Sequence, residues 1–272
     1  VEFVSVRKRF GGDAAVEDIS LSVAPGEFLV LVGPSGCGKS TLLNMLAGML
    51  RPDAGTITVN GRPITAPGPD RAVVFQDHAL FPWLTAAQNV SFGLRMAGVG
   101  RAERQDRVEA ALRKVHLLPS ARKLVHELSG GMRQRIAIAR ALVMDPDVLL
   151  MDEPFAALDA QTRTLMHEQL QELWGDARKT IVFVTHSVGE AVRLADRIVV
   201  LHAHPGRIRK IIRVPLPHPR HFDGPEVTEL VHHVRTEIED EVKRVNAKLA
   251  EFWKPQGAAG VGAATFSMGD GI

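Results

Sequence analysis

The residues with the clearest chemistry form one run, Gly33-Pro34-Ser35-Gly36-Cys37-Gly38-Lys39-Ser40-Thr41. Glycines at 33, 36 and 38 let successive backbone N–H groups curl inward, where they can hold phosphate oxygens. Lys39 can then reach the terminal phosphates, and the Ser40 hydroxyl can bind Mg²⁺. The run matches G-x-x-x-x-G-K-[ST], which requires a strand before it and a helix after it. The apolar segment Phe28-Leu29-Val30-Leu31-Val32 supplies the first, and the helix-compatible stretch 40–49 supplies the second. A helix start here adds partial positive charge facing the anion.

A phosphate loop also needs carboxylates. The short apolar run Val148-Leu149-Leu150-Met151 ends in Asp152-Glu153. A buried strand would deliver both acids to the nucleotide edge of a sheet. Asp152 is then the metal-side acid, and Glu153 is placed to polarise an attacking water. Ser129-Gly130-Gly131 offers a second anion-binding start, at a helix predicted over about 130–144. Cys37 is the lone cysteine, so no internal disulfide forms and a reducing compartment fits. It reads as a small residue suited to the turn. The competing reading is a thiol activated at a helix N-terminus and sensitive to alkylation.

The elements that must position these groups alternate. A short strand over 1–6 and a basic turn over 7–12 open the chain. In 16–23, Ile19, Leu21 and Val23 share one face, while Asp18, Ser20 and Ser22 share the other, as in a half-buried strand. Further strands are read at 55–59, 71–75, 180–184, 197–201 and 206–214. Helices are read over 85–118, 130–144, 161–174 and 188–194. Strands alternating with helices give an α/β fold with a central parallel sheet. The proline-rich stretch 215–219 reads as a boundary. Beyond it, Val227, Leu230, Val231, Val234, Ile238, Val242, Val245, Leu249 and Phe252 make one helical stripe. That helix packs on its own domain or, alternatively, against a partner subunit. Residues 257–272 are small and glycine-rich and read as a flexible tail.

The 272 residues carry a formal charge of only +2, which does not suggest a nucleic-acid footprint. No apolar run is long enough to span a bilayer, so work at a membrane would require a partner. The histidines His202, His204, His218, His221, His232 and His233 read as solvated polar residues, since their spacing fits no metal pattern.

With these residues in place, the chain resembles the ATP-binding subunit of an ABC transporter. The most discriminating stretch is Leu128-Ser129-Gly130-Gly131-Met132-Arg133-Gln134-Arg135, similar to the ABC signature, with Met132 where Gln is more usual. The resemblance covers roughly residues 1–214. It implies a phosphate-loop NTPase core of the RecA-like kind, with an N-terminal antiparallel β subdomain and a helical subdomain inserted at about 85–145. Residues 215–256 would then be a C-terminal helical extension. It further implies that ATP and Mg²⁺ are bound and that ATP is hydrolysed. Gln76 matches the Q-loop glutamine, which contacts Mg²⁺ or water, and Asp159, in Ala157-Leu158-Asp159, matches the D-loop. His186 matches the switch histidine near the γ-phosphate. Phe10 stands where the family stacks an aromatic on adenine, and Val16 where a side chain packs on ribose.

In this family the signature meets ATP held by the opposite subunit, so the resemblance implies a head-to-tail dimer with ATP between two copies. It also implies integral-membrane permease subunits as partners, a substrate-binding protein acting through them, and a peripheral place on the cytoplasmic face of the bacterial inner membrane. Gly68-Pro69-Asp70-Arg71, the segment 80–85, the segment 155–163 and His204-Pro205-Gly206-Arg207-Ile208 resemble the nitrate/sulfonate/taurine importer branch. Leu80, Phe81 and Trp83 are the expected anchors for a permease helix. The rival expectation is a soluble ABC ATPase acting on nucleic acid or ribosomes. The charge balance shows no basic groove to favour it.

Overall fold

The computed structural model describes residues 1–177, 179–202, 204–220 and 224–237. The first strands, β1 (Glu2–Phe10) and β2 (Asp13–Ser22), pair antiparallel around Gly11-Gly12. The basic stretch Arg7 to Phe10 is therefore strand rather than turn. Its charges fit this strand because Arg7 and Arg9 are exposed and Lys8 is only half-buried. Next come β3 (Phe28–Val32), α1 (Lys39–Leu46), β4 (Ala54–Val59), β5 (Arg62–Pro63) and β6 (Arg71–Val74). The strands β2-β1-β4-β5 form an antiparallel four-stranded sheet.

The predicted helix over 85–118 is two helices, α2 (Ala86–Met96) and α3 (Arg101–Lys114), with Gly98 at a φ of 75° between them. They are followed by α4 (Gly130–Leu142), β7 (Val148–Asp152), α5 (Ala160–Ala177), β8 (Thr180–Val184) and α6 (Val188–Leu194). β9 (Arg197–His202) and β10 (Arg207–Arg213) complete a six-stranded sheet of order β10-β9-β3-β8-β7-β6. Its members are parallel except β10, which runs antiparallel to β9.

β3 and β8 are buried throughout, as central parallel strands must be. Alternation splits β3 between two cores. Phe28, Val30 and Val32 face α4, α5 and α6, with the Trp174 ring edge-on to Phe28 at 5.7 Å. Leu29 and Leu31 face α1 and the antiparallel sheet. α2, α3 and α4 surround a third core built on Val90, Leu94, Leu112, Ile136 and Val143.

The expected boundary at 215–219 is tied into the body. Arg220 is 3% exposed, and its guanidinium donates to the carbonyls of Val192, Ala195 and Leu216. The following helix, α7 (225–237), sets Val227 and Val234 into the α4–α5–α6 core. Over these residues the helix packs on its own domain. The rest of its predicted stripe, from Ile238 to Phe252, and the tail 257–272 lie outside the described residues. No helix among the described residues is long and apolar enough to cross a membrane.

Candidate functional site

Because β3, β8, β7 and β6 are neighbours and parallel, their carboxyl ends collect on one edge. The chain leaves those ends through the loop at 33–41, through His186, through Asp152-Glu153 and through Gln76. Side chains as far apart in sequence as Lys39 and His186 are thus assembled by topology alone.

The loop closes onto α1 at Gly38, the residue before the helix, at a φ of 86°. A Cβ there would stand 2.7 Å from Val16 Cγ2 and 2.9 Å from the Ala15 carbonyl oxygen, so only glycine fits. Lys39 is 8% exposed. Its ammonium donates to the carbonyls of Gly33 at 2.8 Å and Pro34 at 3.0 Å, which holds it across the mouth of the loop. Gly36 and Ser35 form the outer rim, and Thr41 continues into α1. Cys37 is fully buried behind the loop, 3.7 Å from the Lys39 ammonium. Burial pushes its thiol up, and the pull of Lys39 does not reverse this. The activated-thiol reading is thereby corrected: desolvation outweighs the helix start.

Ser40 Oγ donates to Asp152 Oδ1 at 3.1 Å. Burial raises the Asp152 carboxyl above its ordinary range. The Ser40 bond opposes this, and the charge of Glu153 adds to it. Two hard oxygen donors this close beside a phosphate cradle suit Mg²⁺, which takes few protein ligands and keeps several waters. Glu153 sits at a φ of 44°, and its backbone N–H donates to Val184 O at 3.0 Å. Its Oε2 lies 3.0 Å from His186 Nδ1. Acid and imidazole are therefore paired at the site edge. Gln76 follows β6 and is exposed.

The backbone after Gln76 passes through two left-handed residues, His78 at 58° and Ala79 at 46°. Arg140 on α4 holds this turn, donating to Ala79 O at 2.6 Å and His78 O at 3.0 Å. The same helix starts at the signature stretch. Ser129 caps it, its Oγ accepting the Met132 N–H at 3.3 Å. Gly130 and Gly131 face the start of α5. A Cβ on Gly131 would stand 2.5 Å from Thr162 Cγ2. Asp159 caps α5, with its Oδ1 accepting the Thr162 N–H at 2.9 Å, and that bond draws its carboxyl below the usual range. Among the described residues no hydrogen bond joins 129–131 to the loop at 33–41.

Phe10 is half-exposed, with the Lys8 ammonium over its ring. It lines a depression of 510 Å³ with Asp13, Ala14, Ala15, Gly36, His204 and Pro205. That places an exposed aromatic beside the loop rim. Val16 is 1% exposed and packs beneath the loop rather than into the depression. Sequence reading gave two of the residues here no role at the site. His204 read as a solvated histidine and as part of the importer-branch stretch 204–208, not as a wall of this depression. Arg140 carries no local signal, because its role exists only once α4 lies against the turn at 78–79.

Around Leu80 and Trp83 the surface is aromatic. Phe81 packs on Phe92 at 4.5 Å and on Trp83 at 5.6 Å, and Trp83 is 72% exposed. A 320 Å³ groove beside it is lined by Met49, Phe75, Phe81, Phe92 and Met144. Among the described residues no cluster of three His, Cys, Asp or Glu could hold a metal. His218, one of the histidines noted above, lies 3.3 Å from Asp196 and stacks edge-on to Trp174.

A family described as ABC transporter matches residues 16–156. A taurine import ATP-binding protein of Mesorhizobium japonicum is 55% identical over 194 residues, covering 71% of this chain and 76% of that protein. An uncharacterized ABC transporter ATP-binding protein of Methanocaldococcus jannaschii is 46% identical over 228 residues, covering 84% and 85%. An ATP-binding cassette solved as a dimer in a post-hydrolysis state with ADP and phosphate superposes with a TM-score of 0.69. It is 31% identical, and the match covers 79% of this chain and 99% of that one.

Proposed function

The chain belongs to the ABC transporter family as an ATP-hydrolysing subunit, and from that premise we propose that it powers import of a small anion such as taurine, another sulfonate or nitrate. The observation that carries the catalytic part is the sheet edge. There Ser40 meets Asp152 at 3.1 Å and Glu153 meets His186 at 3.0 Å, beside the glycine cradle.

In this reading Gly33, Ser35, Gly36, Cys37, Gly38, Lys39, Ser40 and Thr41 hold the triphosphate, the small residues through backbone N–H groups and Lys39 through its ammonium. Mg²⁺, when bound, supplies charge neutralisation between the phosphates, and Ser40, Asp152 and Gln76 are the residues that would hold it. Glu153 orients the attacking water and takes its proton. His186 fixes Glu153 and faces the γ-phosphate. Phe10 stacks on the base from the rim. Val16 acts through the loop it supports, since its side chain is covered. Ser129, Gly130, Gly131 and Asp159 complete the site of a second copy, which fits a cradle that bonds nothing in its own loop.

Closure of two copies on ATP then draws the turn after Gln76 with the signature helix, because Arg140 binds the two together. The aromatic surface at Phe81 and Trp83 receives the permease. A substrate-binding protein would deliver the anion to that permease, and the chain would sit peripherally on the cytoplasmic face of the inner membrane. The resemblance to a taurine import relative supports the substrate class, but the ATPase itself touches no cargo. Reconstitution with its permease tests both parts. Phosphate release should rise when the binding protein is loaded with a sulfonate. Glu153→Gln should abolish release while the chain retains ATP. Release unaffected by Glu153→Gln would overturn the role of Glu153, and stimulation only by ligands that carry no sulfonate or nitrate group would overturn the substrate class.

A further inference from the structure

We propose that Glu190 is a positioning residue which, through Thr185 and Arg163, aims His186 at Glu153 and ties that alignment to the segment leading into Asp159. The proposal rests on the reading of Glu153 and His186 as the hydrolytic pair.

The His186 side chain is 68% exposed, so packing does not hold its ring in place. Its aim depends on the backbone, and Thr185 fixes that backbone. Thr185 is 2% exposed, and its N–H donates to Leu31 O at 3.2 Å. Its Oγ1 accepts the Ser187 N–H at 2.9 Å, closing a small ring around His186. The same hydroxyl donates to Glu190 Oε2 at 2.5 Å. A hydroxyl rotor that donates to a charged acceptor has one orientation, so its lone pair is presented to Ser187 without a rotational choice.

Glu190 is 6% exposed, and its other oxygen serves α5. His167 Nε2 lies 3.2 Å from Glu190 Oε1, and Arg163 Nε lies 3.9 Å from it. With an acceptor-only carboxylate opposite, the proton of His167 belongs on Nε2. Burial alone would lift the Glu190 carboxyl, but the bonds from His167 and Thr185 and the positive charge of Arg163 leave it below its usual range. Arg163 reaches the other way as well. It donates from Nε to Phe155 O at 3.2 Å and from Nη2 to Leu158 O at 2.7 Å. Those carbonyls belong to the segment that ends at Asp159. The His167 ring stands edge-on to Phe155 at 5.2 Å, closing the cluster.

A buried carboxylate with two hydrogen bonds and one ion pair does more than fill space, since apolar residues of the same volume pack as well or better. What the charge adds is direction: Glu190 holds the turn at 185–187 through Thr185, and its ion pair with Arg163 braces the side chain that holds the carbonyls of Phe155 and Leu158. When a partner subunit moves Asp159, the displacement reaches His186 through Arg163 and Glu190. The cluster is a second physical linkage between two loops that also meet directly where Glu153 Oε2 lies 3.0 Å from His186 Nδ1.

The test is phosphate release by the full chain, with kcat and KM for ATP measured separately. Glu190→Gln keeps the volume but turns an amide N–H₂ toward a donor. It is expected to lower kcat by tenfold or more, up to about 100-fold for a misplacement near 1 Å, with KM nearly unchanged. Thr185→Val should reproduce this loss and Thr185→Ser should restore activity, so the inference stays testable if Glu190→Gln fails to fold. In a His186→Ala background, Glu190→Gln should lower kcat no further, because the two act through one ring. A full multiplicative loss in that background, or wild-type kcat in both Glu190→Gln and Thr185→Val, would overturn the proposal. Unchanged turnover in His186→Ala alone would instead overturn the reading of His186 on which it rests.

Discussion

Asp152 shows how single groups here trade stability for chemistry. Burial lifts its carboxyl above the ordinary range, and the charge of Glu153 acts in the same direction against the Ser40 bond. A carboxyl whose folded-state pKa is raised is more easily protonated in the folded chain than in the unfolded one. Its ionisation therefore opposes folding as pH climbs from the acid range, and the penalty is fully present at neutrality. Asp152→Asn is expected to raise the metal-free melting temperature near neutral pH, with a gain that shrinks as pH falls through the folded-state pKa. The same change should remove Mg²⁺-dependent phosphate release. Paired thermal melts and release assays check both. Cys37 gives the opposite kind of expectation. Its thiol is covered and pushed up. Iodoacetamide should label it only after unfolding, as mass spectrometry of native and urea-treated chain would reveal. Rapid labelling of the native chain would contradict the buried geometry.

At the scale of elements, the contact between α4 and α5 depends on one missing methyl. A Cβ at Gly131 would stand 2.5 Å from Thr162 Cγ2. Gly131→Ala should destabilise the chain by about 1–3 kcal/mol through overpacking. Adding Thr162→Ser, which removes the offending methyl, should recover most of it in urea titrations. The spacing of the phosphate loop, the buried strands and the helix start at Ser129 could be read directly, because each is a local pattern with a local cause. The strand β8 (Thr180–Val184) and the helix α6 (Val188–Leu194) fall where periodicity placed them. Arg7 to Phe10 did not read as strand, because the charges masked the alternation. The break between α2 and α3 hinged on Gly98, and one glycine inside a helical pattern does not announce a turn. The contacts of Arg140, Arg163 and Arg220 were invisible. A guanidinium that holds backbone carbonyls of a distant segment leaves no spacing in the sequence.

At the scale of the whole molecule, no hydrogen bond among the described residues joins the loop at 33–41 to the helix start at 129–131, which the proposed function assigns to the site of a second copy. The aromatic surface at Phe81 and Trp83 points to a partner at another face. Trp83→Ala should reduce the extra phosphate release seen with the permease and leave the basal rate of the isolated chain unaltered. Equal losses in both would remove Trp83 from the docking surface. Two copies of the chain bringing loop and signature together on ATP is the central claim, and sedimentation tests it most directly. In the Glu153→Gln chain, which should hold ATP without hydrolysing it, added ATP is predicted to convert monomer to dimer. Adding Ser129→Arg in that chain should leave ATP bound at one per chain and the species monomeric. Dimerisation by the Ser129→Arg chain, or an ATP-loaded Glu153→Gln chain that stays monomeric, would contradict the account.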